Sequence, residues 1–403
     1  MSDDDDSDVD YYQRPEFDAL FHSTCAPSSG GLLNEMHDLK HVQGEDLDQV
    51  LPEDLDELIF TGEIDSNDKE YKRVLYLLQS NRRWKGIQLS DCGTDRVSPE
   101  FLSLVVLAVT KTNRVVVHDC PMDQNLFACL SSGMQTLTNV RVGTSSIPIS
   151  YEAAAVFANG LALSTSLETL SIAESCRFEH GAVLKLVEGI KRNKSLKDLS
   201  IDESNLSTAG TVLILRAVTD GKLPKLSTLI VKLKPLSDCG TLLTKLISSD
   251  TCHLESLTIE SNHENPSTFH GVDSSQSGNV SNRRLKSLHI QHARLNDSYL
   301  TSILPAIPML LHLKLPGCAL SDVTPIIDHL LHPSTVIRSI DLRGNKIGLD
   351  QVEVFVTRLA DMQSLADVNL SENPWCGDCN HDFLERLEKM VRMLSRCWNL
   401  EQF

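Results

Sequence analysis

Three imidazoles, His289, His292 and His312, fall close together in the chain and are the first candidates for chemistry. Imidazole nitrogens ligate zinc, and neighbouring strands about 4.8 Å apart bring residues such as His289 and His312 within reach of one ion. No carboxylate or thiol obviously completes that set, so scattered surface histidines are the plainer reading. A second group stands near the C-terminus, where Cys376, Cys379 and Cys397 accompany His381. Its chemistry is open three ways: a zinc site, a disulfide, or free thiols in an apolar cap. The remaining cysteines of the 11 are widely spaced and read as reduced, buried small hydrophobes.

Motifs that carry catalysis are absent from the sequence. There is no Gly-x-x-x-x-Gly-Lys to cradle a phosphate, no Gly-x-Ser-x-Gly and no His-Glu-x-x-His. No cysteine is paired with a His and an Asn in a local signature. The sequence therefore predicts a protein that is not an enzyme and needs no cofactor. Whatever the polar residues do depends on the elements that hold them, and these are supplied by a repeat.

The segment Leu196-x-x-Leu199-x-Ile201-x-x-Ser204-x-Leu206 places apolar residues at positions 1, 4, 6 and 11 and a small or polar residue at position 9. The same pattern starts at Leu55, Trp84, Thr112, Leu137, Leu167, Leu226, Leu254, Leu285, Leu310, Ile337 and Leu365. Consecutive starts lie 25 to 31 residues apart. A period near the upper end of the leucine-rich-repeat range leaves room for a full helix after each strand. Leu206, Gly210, Ile214 and Val218 recur every four residues after the strand, as do Ile347, Gln351, Phe355 and Leu359.

On these residues the chain resembles the ribonuclease-inhibitor-like leucine-rich-repeat family from about residue 55 to 375. The resemblance implies an α/β fold, a curved solenoid or horseshoe of about twelve repeats. Parallel strands would line its concave face and helices its convex face. The family favours Asn at position 9, kept here at Asn262, Asn345 and Asn373. Cys92, Cys120, Cys318, Ser145, Ser175 and Ser204 replace it with weaker hydrogen-bonding groups, and Lys234, Ala293 and Glu63 cannot reproduce the amide.

Positions 3, 5 and 7 alternate with the apolar 4 and 6, so their side chains are expected on the concave face. Arg141 and Glu260 are among them. Glu168, Glu174, Asp198, Asp202 and Glu203 form an acidic zone, with Lys232 beside it. Lys286, His289, His292, His312, Lys314, Arg338 and Arg343 form a largely basic zone broken by Asp341. Two readings compete: a bipolar docking surface that orients a protein partner, or charges that any solvent-facing repeat tolerates.

The ends need a separate account. Residues 1–57 hold 17 acids against Arg14 and Lys40, so −15 of the formal −18 belongs to this leader and −3 to the rest. Residues 1–31 are expected to be a disordered acidic leader, in which Ser2 and Ser7 suit an acidophilic kinase or merely sit in a solvating tail. Residues 32–54 carry a helical cadence ending at Pro52 and read as the N-terminal cap, residues 55–375 as the solenoid, and residues 376–403 as a helical C-terminal cap. Asn373-Pro374-Trp375-Cys376 is similar to part of the flanking caps of extracellular leucine-rich-repeat proteins. Residues 261–284 lack a helical pattern and should form a loop.

Composition narrows the function classes. The negative charge argues against a general nucleic-acid binder, though less so for the basic zone. No run of 18 apolar residues spans a membrane, and the acidic start is unlike a signal peptide. The expectation is a cytoplasmic or nuclear protein, monomeric on its own, acting as an adaptor, scaffold or regulatory subunit for an unknown protein partner. Two alternatives are a GTPase-activating protein of the solenoid type and a ubiquitin-ligase substrate receptor. The first carries its acidic tail at the other end, and the second needs a longer helical domain than residues 1–54 provide.

Overall fold

The computed structural model describes residues 57–61, 84–90, 108–120, 124–144, 148–172, 176–179, 181–234, 239–269, 281–374 and 381–394. All belong to the unit Asp56–Phe403. The expected leader, the N-terminal cap, Glu63, Cys92, Ser145, Glu174, Ser175, Cys376, Cys379 and Cys397 lie outside the described residues.

Twelve strands form one parallel sheet: β1 (Glu57–Thr61), β2 (Gly86–Ser90), β3 (Arg114–Cys120), β4 (Asn139–Thr144), β5 (Thr169–Ile172), β6 (Asp198–Asp202), β7 (Thr228–Lys232), β8 (Ser256–Glu260), β10 (Ser287–Gln291), β12 (His312–Lys314), β13 (Ser339–Asp341) and β14 (Asp367–Asn369). They are ordered in space as in sequence. Each begins two residues after the first apolar residue of its repeat, so Leu196 precedes Asp198 and Leu226 precedes Thr228. This is the leucine-rich-repeat solenoid that the repeat predicts.

The register is locked at the strand entrance. The Glu168 carbonyl accepts the N–H groups of both Lys197 (2.7 Å) and Asp198 (2.9 Å), and the Lys197 carbonyl accepts those of Ser227 (2.8 Å) and Thr228 (3.0 Å). The Asn113, Thr138, Ser227, Glu255, Lys286, Leu311 and Arg338 carbonyls repeat the arrangement. Each repeat thereby satisfies the entering backbone of the next without side-chain help.

Burial alternates along the strands. Leu199 and Ile201, Leu229 and Val231, and Leu257 and Ile259 are buried, while their neighbours at positions 3, 5 and 7 are mostly half-buried. Fully burying one such side chain contributes roughly 1.5–3 kcal/mol. The contribution recurs along the described strands from β2 onward, which is how stacked repeats stabilise an array.

Helices connect the strands: α1 (Gln124–Gly133), α2 (Tyr151–Leu163), α3 (Ala182–Arg192), α4 (Glu203–Thr219), α5 (Gly240–Ser248), α6 (Asp297–Ile303), α7 (Thr324–Leu330) and α8 (Leu349–Arg358). The helix α9 (His381–Leu394) follows the last strand. One glycine in each of the first three allows close approach. A Cβ at Gly189 would stand 2.5 Å from the Ala158 carbonyl oxygen and 2.6 Å from its Cα. One at Gly160 would stand 2.7 Å from Ser131 Oγ, and one at Gly133 would collide with Val109. Within α4, Ser207 (φ 59°, ψ 162°) divides two helical segments, and its Oγ accepts the Gly210 N–H at 3.5 Å to cap the second.

Where the sequence predicts a loop, the described residues form no helix. Among the described residues of 261–284 there is instead β9 (Thr268–Phe269), paired in parallel with β11 (Arg294–Leu295). Phe269 is fully buried and meets Tyr299 edge-on at 5.5 Å. Residues 270–280 lie outside the described residues. At the other end, α9 is clamped to α8 by Arg386, which bonds Asp350 (2.6 Å) and Glu353 (2.8 Å), and by Lys389 to Glu353 (2.8 Å).

Two features order the turns of the last repeats. Asn345 Nδ2 donates to the Leu315 carbonyl (2.8 Å) and the Leu342 carbonyl (2.7 Å), and its Oδ1 accepts the Leu320 N–H. Asn373 repeats this on Leu342, Leu370 and Ile347. Cys318 continues the ladder with its thiol, donating to the Ile290 carbonyl at 3.1 Å. Position 8 of the last four repeats is left-handed: His292 (φ 54°), Gly317 (φ 63°), Gly344 (φ 64°) and Glu372 (φ 59°). Two of these carry a Cβ and sit there against the usual preference for glycine.

Asn262 corrects the sequence reading. It is not in the ladder: its Oδ1 accepts the Glu264 and Asn265 N–H groups in a local turn, and the buried Ser261 Oγ takes the Ser267 N–H at 2.7 Å.

Candidate docking face of the sheet

The strand register gathers the side chains of positions 3, 5 and 7 into three rows. In one, Asp202 lies opposite Lys232 and Lys232 opposite Glu260, which in turn faces Gln291. Lys232 Nζ is 4.0 Å from Asp202 Oδ2. In the second row Thr258, His289, Lys314, Asp341 and Asn369 follow one another. The third holds Thr169, Asp198, Thr228, Ser256, Ser287, His312, Ser339 and Asp367. Arg141, between Val116 and Ser171, extends the face toward the first repeats.

The acidic zone is largely consumed within the protein. Asp202 is only 4% exposed and lies beside Lys232. Asp198 accepts from Thr169 Oγ1 at 3.3 Å. Glu168 sits at position 2 on the rim and pairs with Lys197 at 2.6 Å. Glu203 is not on the face at all: it is fully buried, and its Oε2 accepts the Lys234 backbone N–H at 3.3 Å. Being the residue after the strand end, it turns under the next repeat rather than out of the sheet.

The basic zone remains more open. His312 and Arg338 are exposed, and Lys314 is half-buried. The Arg343 side chain is 44% exposed, with its Nε 3.5 Å from Asp341 Oδ2. Asp341 also holds the end of its own strand, since Oδ1 accepts the Arg343 N–H at 3.1 Å. Lys286 belongs to the rim and is paired with Glu255 at 2.7 Å, mirroring the Glu168–Lys197 pair.

The three imidazoles do not converge. His289 is 6% exposed in the middle row and His312 lies in the adjoining row on β12, while His292 follows the end of β10 in its left-handed turn. His292 meets His263 edge-on at 5.0 Å, and its Nε2 lies 2.9 Å from Gln291 Nε2. Burial, helped by His263 and Arg343, pushes the His292 pKa below its ordinary value. Among the described residues no group of three or more His, Cys, Asp or Glu side chains is placed to hold a metal ion. His263 lies just past Asn262 in the interrupted repeat, where the pattern assigns no strand or helix residue. The rim pairs join position 2 residues of adjacent repeats, Glu168 with Lys197 and Glu255 with Lys286.

The geometry is that of a broad face of amide, hydroxyl and charged groups. Among solved structures, a leucine-rich-repeat protein of Leptospira interrogans is similar in fold. It has 14% sequence identity and a TM-score of 0.41, with 89% of this chain and 98% of that chain covered. No family model matches the chain, and no curated protein matches it significantly. The repeat register itself therefore carries the fold assignment. None of the described helices is long and apolar enough to cross a membrane.

Proposed function

We propose that this protein is a non-enzymatic interaction module, an adaptor, scaffold or regulatory subunit, that binds a protein partner across the open face of its sheet. The observation that supports this most is the asymmetry of the face. Its described acids are buried or paired internally, whereas His312 and Arg338 are exposed on and beside β12–β13, and Arg343 is 44% exposed beside its partner Asp341. Such a surface attracts and orients an acidic patch on a partner. The repeat period of 25 to 31 residues supports reading the chain as similar to the ribonuclease-inhibitor-like branch of the repeat.

A cytoplasmic or nuclear setting is the reading that the thiol chemistry supports. Cys318 acts as a hydrogen-bond donor inside the turn ladder, and burial pushes its pKa up to about 12. The ladder needs that thiol protonated and reduced.

The test is a pair of charge reversals, Lys314→Glu with Arg343→Glu, in the full-length chain. Affinity for a partner identified by proximity labelling should fall by about tenfold or more, with added salt weakening the wild-type complex. Unchanged affinity and no salt dependence would remove the proposal.

A further inference from the structure

On the helix side of the solenoid, α6, the 3₁₀ turn Leu304–Ala306 and α7 enclose a cleft of about 440 Å³. Its apolar wall is Leu300, Leu304, Pro305, Pro308 and Pro325. Its polar wall comes from α7 and the chain flanking it: Asp322, Asp328, His329 and His332. No lysine or arginine lines the cleft. Asp328 is exposed and forms no ion pair among the described residues. That leaves two carboxylates facing an apolar wall with no cation of the protein's own.

The polar groups are held in place. Asp322 Oδ1 accepts from both the Thr324 N–H (2.8 Å) and Thr324 Oγ1 (2.6 Å) at the start of α7. The Ser334 N–H donates to His332 Nδ1 at 3.3 Å, with Ser334 Oγ 2.7 Å from the same nitrogen. These contacts fix the orientation of the His332 ring at the edge of the cleft. Burial, helped by His332, pushes the pKa of His329 below its ordinary value.

We propose that this cleft receives an arginine side chain from an extended segment of a partner protein. The aliphatic stem would lie along the leucine and proline wall, and the planar guanidinium would stack on the imidazoles and meet Asp328 and Asp322. Arginine fits better than a metal ion, because no set of three ligands converges there. The volume falls in the range of drug-sized ligands, roughly 300–1,000 Å³, so the cleft also admits backbone on either side of the arginine. This surface lies opposite the sheet face and is independent of the reading given to that face.

The experiment is fluorescence anisotropy on the full-length protein with a fluorescein-labelled peptide Gly-Ser-Pro-Arg-Pro-Ser-Gly, and with versions carrying norleucine or lysine in place of arginine. Saturable binding is expected, at least about tenfold weaker with norleucine and measurably weaker with lysine. Asp328→Lys, an exposed substitution that leaves the fold intact by circular dichroism, should weaken the arginine peptide by a similar factor. The sheet-face variant Arg343→Glu should bind it unchanged. Equal binding of the norleucine peptide, indifference to Asp328→Lys, or no saturable binding at millimolar protein would overturn the proposal. Lysine binding as tightly as arginine would overturn the assignment to a guanidinium.

Discussion

Glu203 Oε2 accepts the backbone N–H of Lys234 at 3.3 Å, joining two repeats through a carboxylate with no exposed surface. Position 9 of the later repeat is Lys234 itself, whose side chain cannot cap the turn, and Glu203 supplies the missing acceptor from the repeat before. Cys239 Sγ lies 3.9 Å from the other oxygen. Glu203→Ala should therefore lower stability by about 1–3 kcal/mol, the cost of an unsatisfied buried group. Glu203→Gln, which keeps an acceptor, should cost less. Urea unfolding with an unchanged slope would report the difference.

The asparagine ladder predicts unequal consequences for three residues that look equivalent in the repeat. Asn345→Ala and Asn373→Ala each strand buried carbonyls of two repeats and should cost about 1–3 kcal/mol. Asn262→Ala removes only the acceptor of a largely exposed turn and should stay within about 0.5 kcal/mol. Thermal or urea unfolding of the three single variants checks the ranking.

Helix packing in the early repeats depends on Gly189. An added methyl would meet Ala158 backbone atoms, which cannot rotate away. Gly189→Ala should destabilise by about 1–3 kcal/mol despite alanine's better helix propensity. Gly348→Ala, where an added Cβ meets nothing within 4 Å, is the control for crowding and should cost less, through the N-cap of α8 alone. Hydrogen exchange localised to α2 and α3 would show that the damage stays in those repeats.

His292 gives stability a pH dependence of known sign. Its folded-state pKa lies below the ordinary value through burial, His263 and Arg343. As pH falls below about 6.5 the unfolded chain binds a proton that the folded chain resists, so stability drops with falling pH in that window. His292→Asn tolerates the left-handed backbone and removes the titration. Unfolding midpoints at pH 7.5 and 5.5 should differ more for wild type than for this variant; equal differences would contradict the assignment.

How much of this was legible depended on whether a residue's role repeats. Leu196, Leu199 and Ile201 announce a strand because their partners recur in register, and all twelve strands fall where that spacing puts them. The turn at Asn345 was legible for the same reason. Glu203 was not, because a surface-facing charge and a buried cap have the same residue type and differ only in the turn's direction. His263 and the β9–β11 pair were invisible because they lie where the repeat is interrupted. The left-handed position 8 had a signal in Gly317 and Gly344, and His292 and Glu372 concealed it. The acidic zone looked available in sequence because spacing cannot show that Glu168 reaches Lys197.

The central claim is that the sheet face, and its His312–Arg343 region in particular, is where a protein partner docks. The most direct measurement places a photo-crosslinking amino acid singly at His312, Arg338 and, on the opposite side, Leu184 of α3, in cells expressing the full-length chain. The account predicts one discrete protein adduct from His312 and Arg338 that Lys314→Glu with Arg343→Glu abolishes, and none of that size from Leu184. The same adduct from Leu184, or its persistence in the charge-reversed protein, would contradict it.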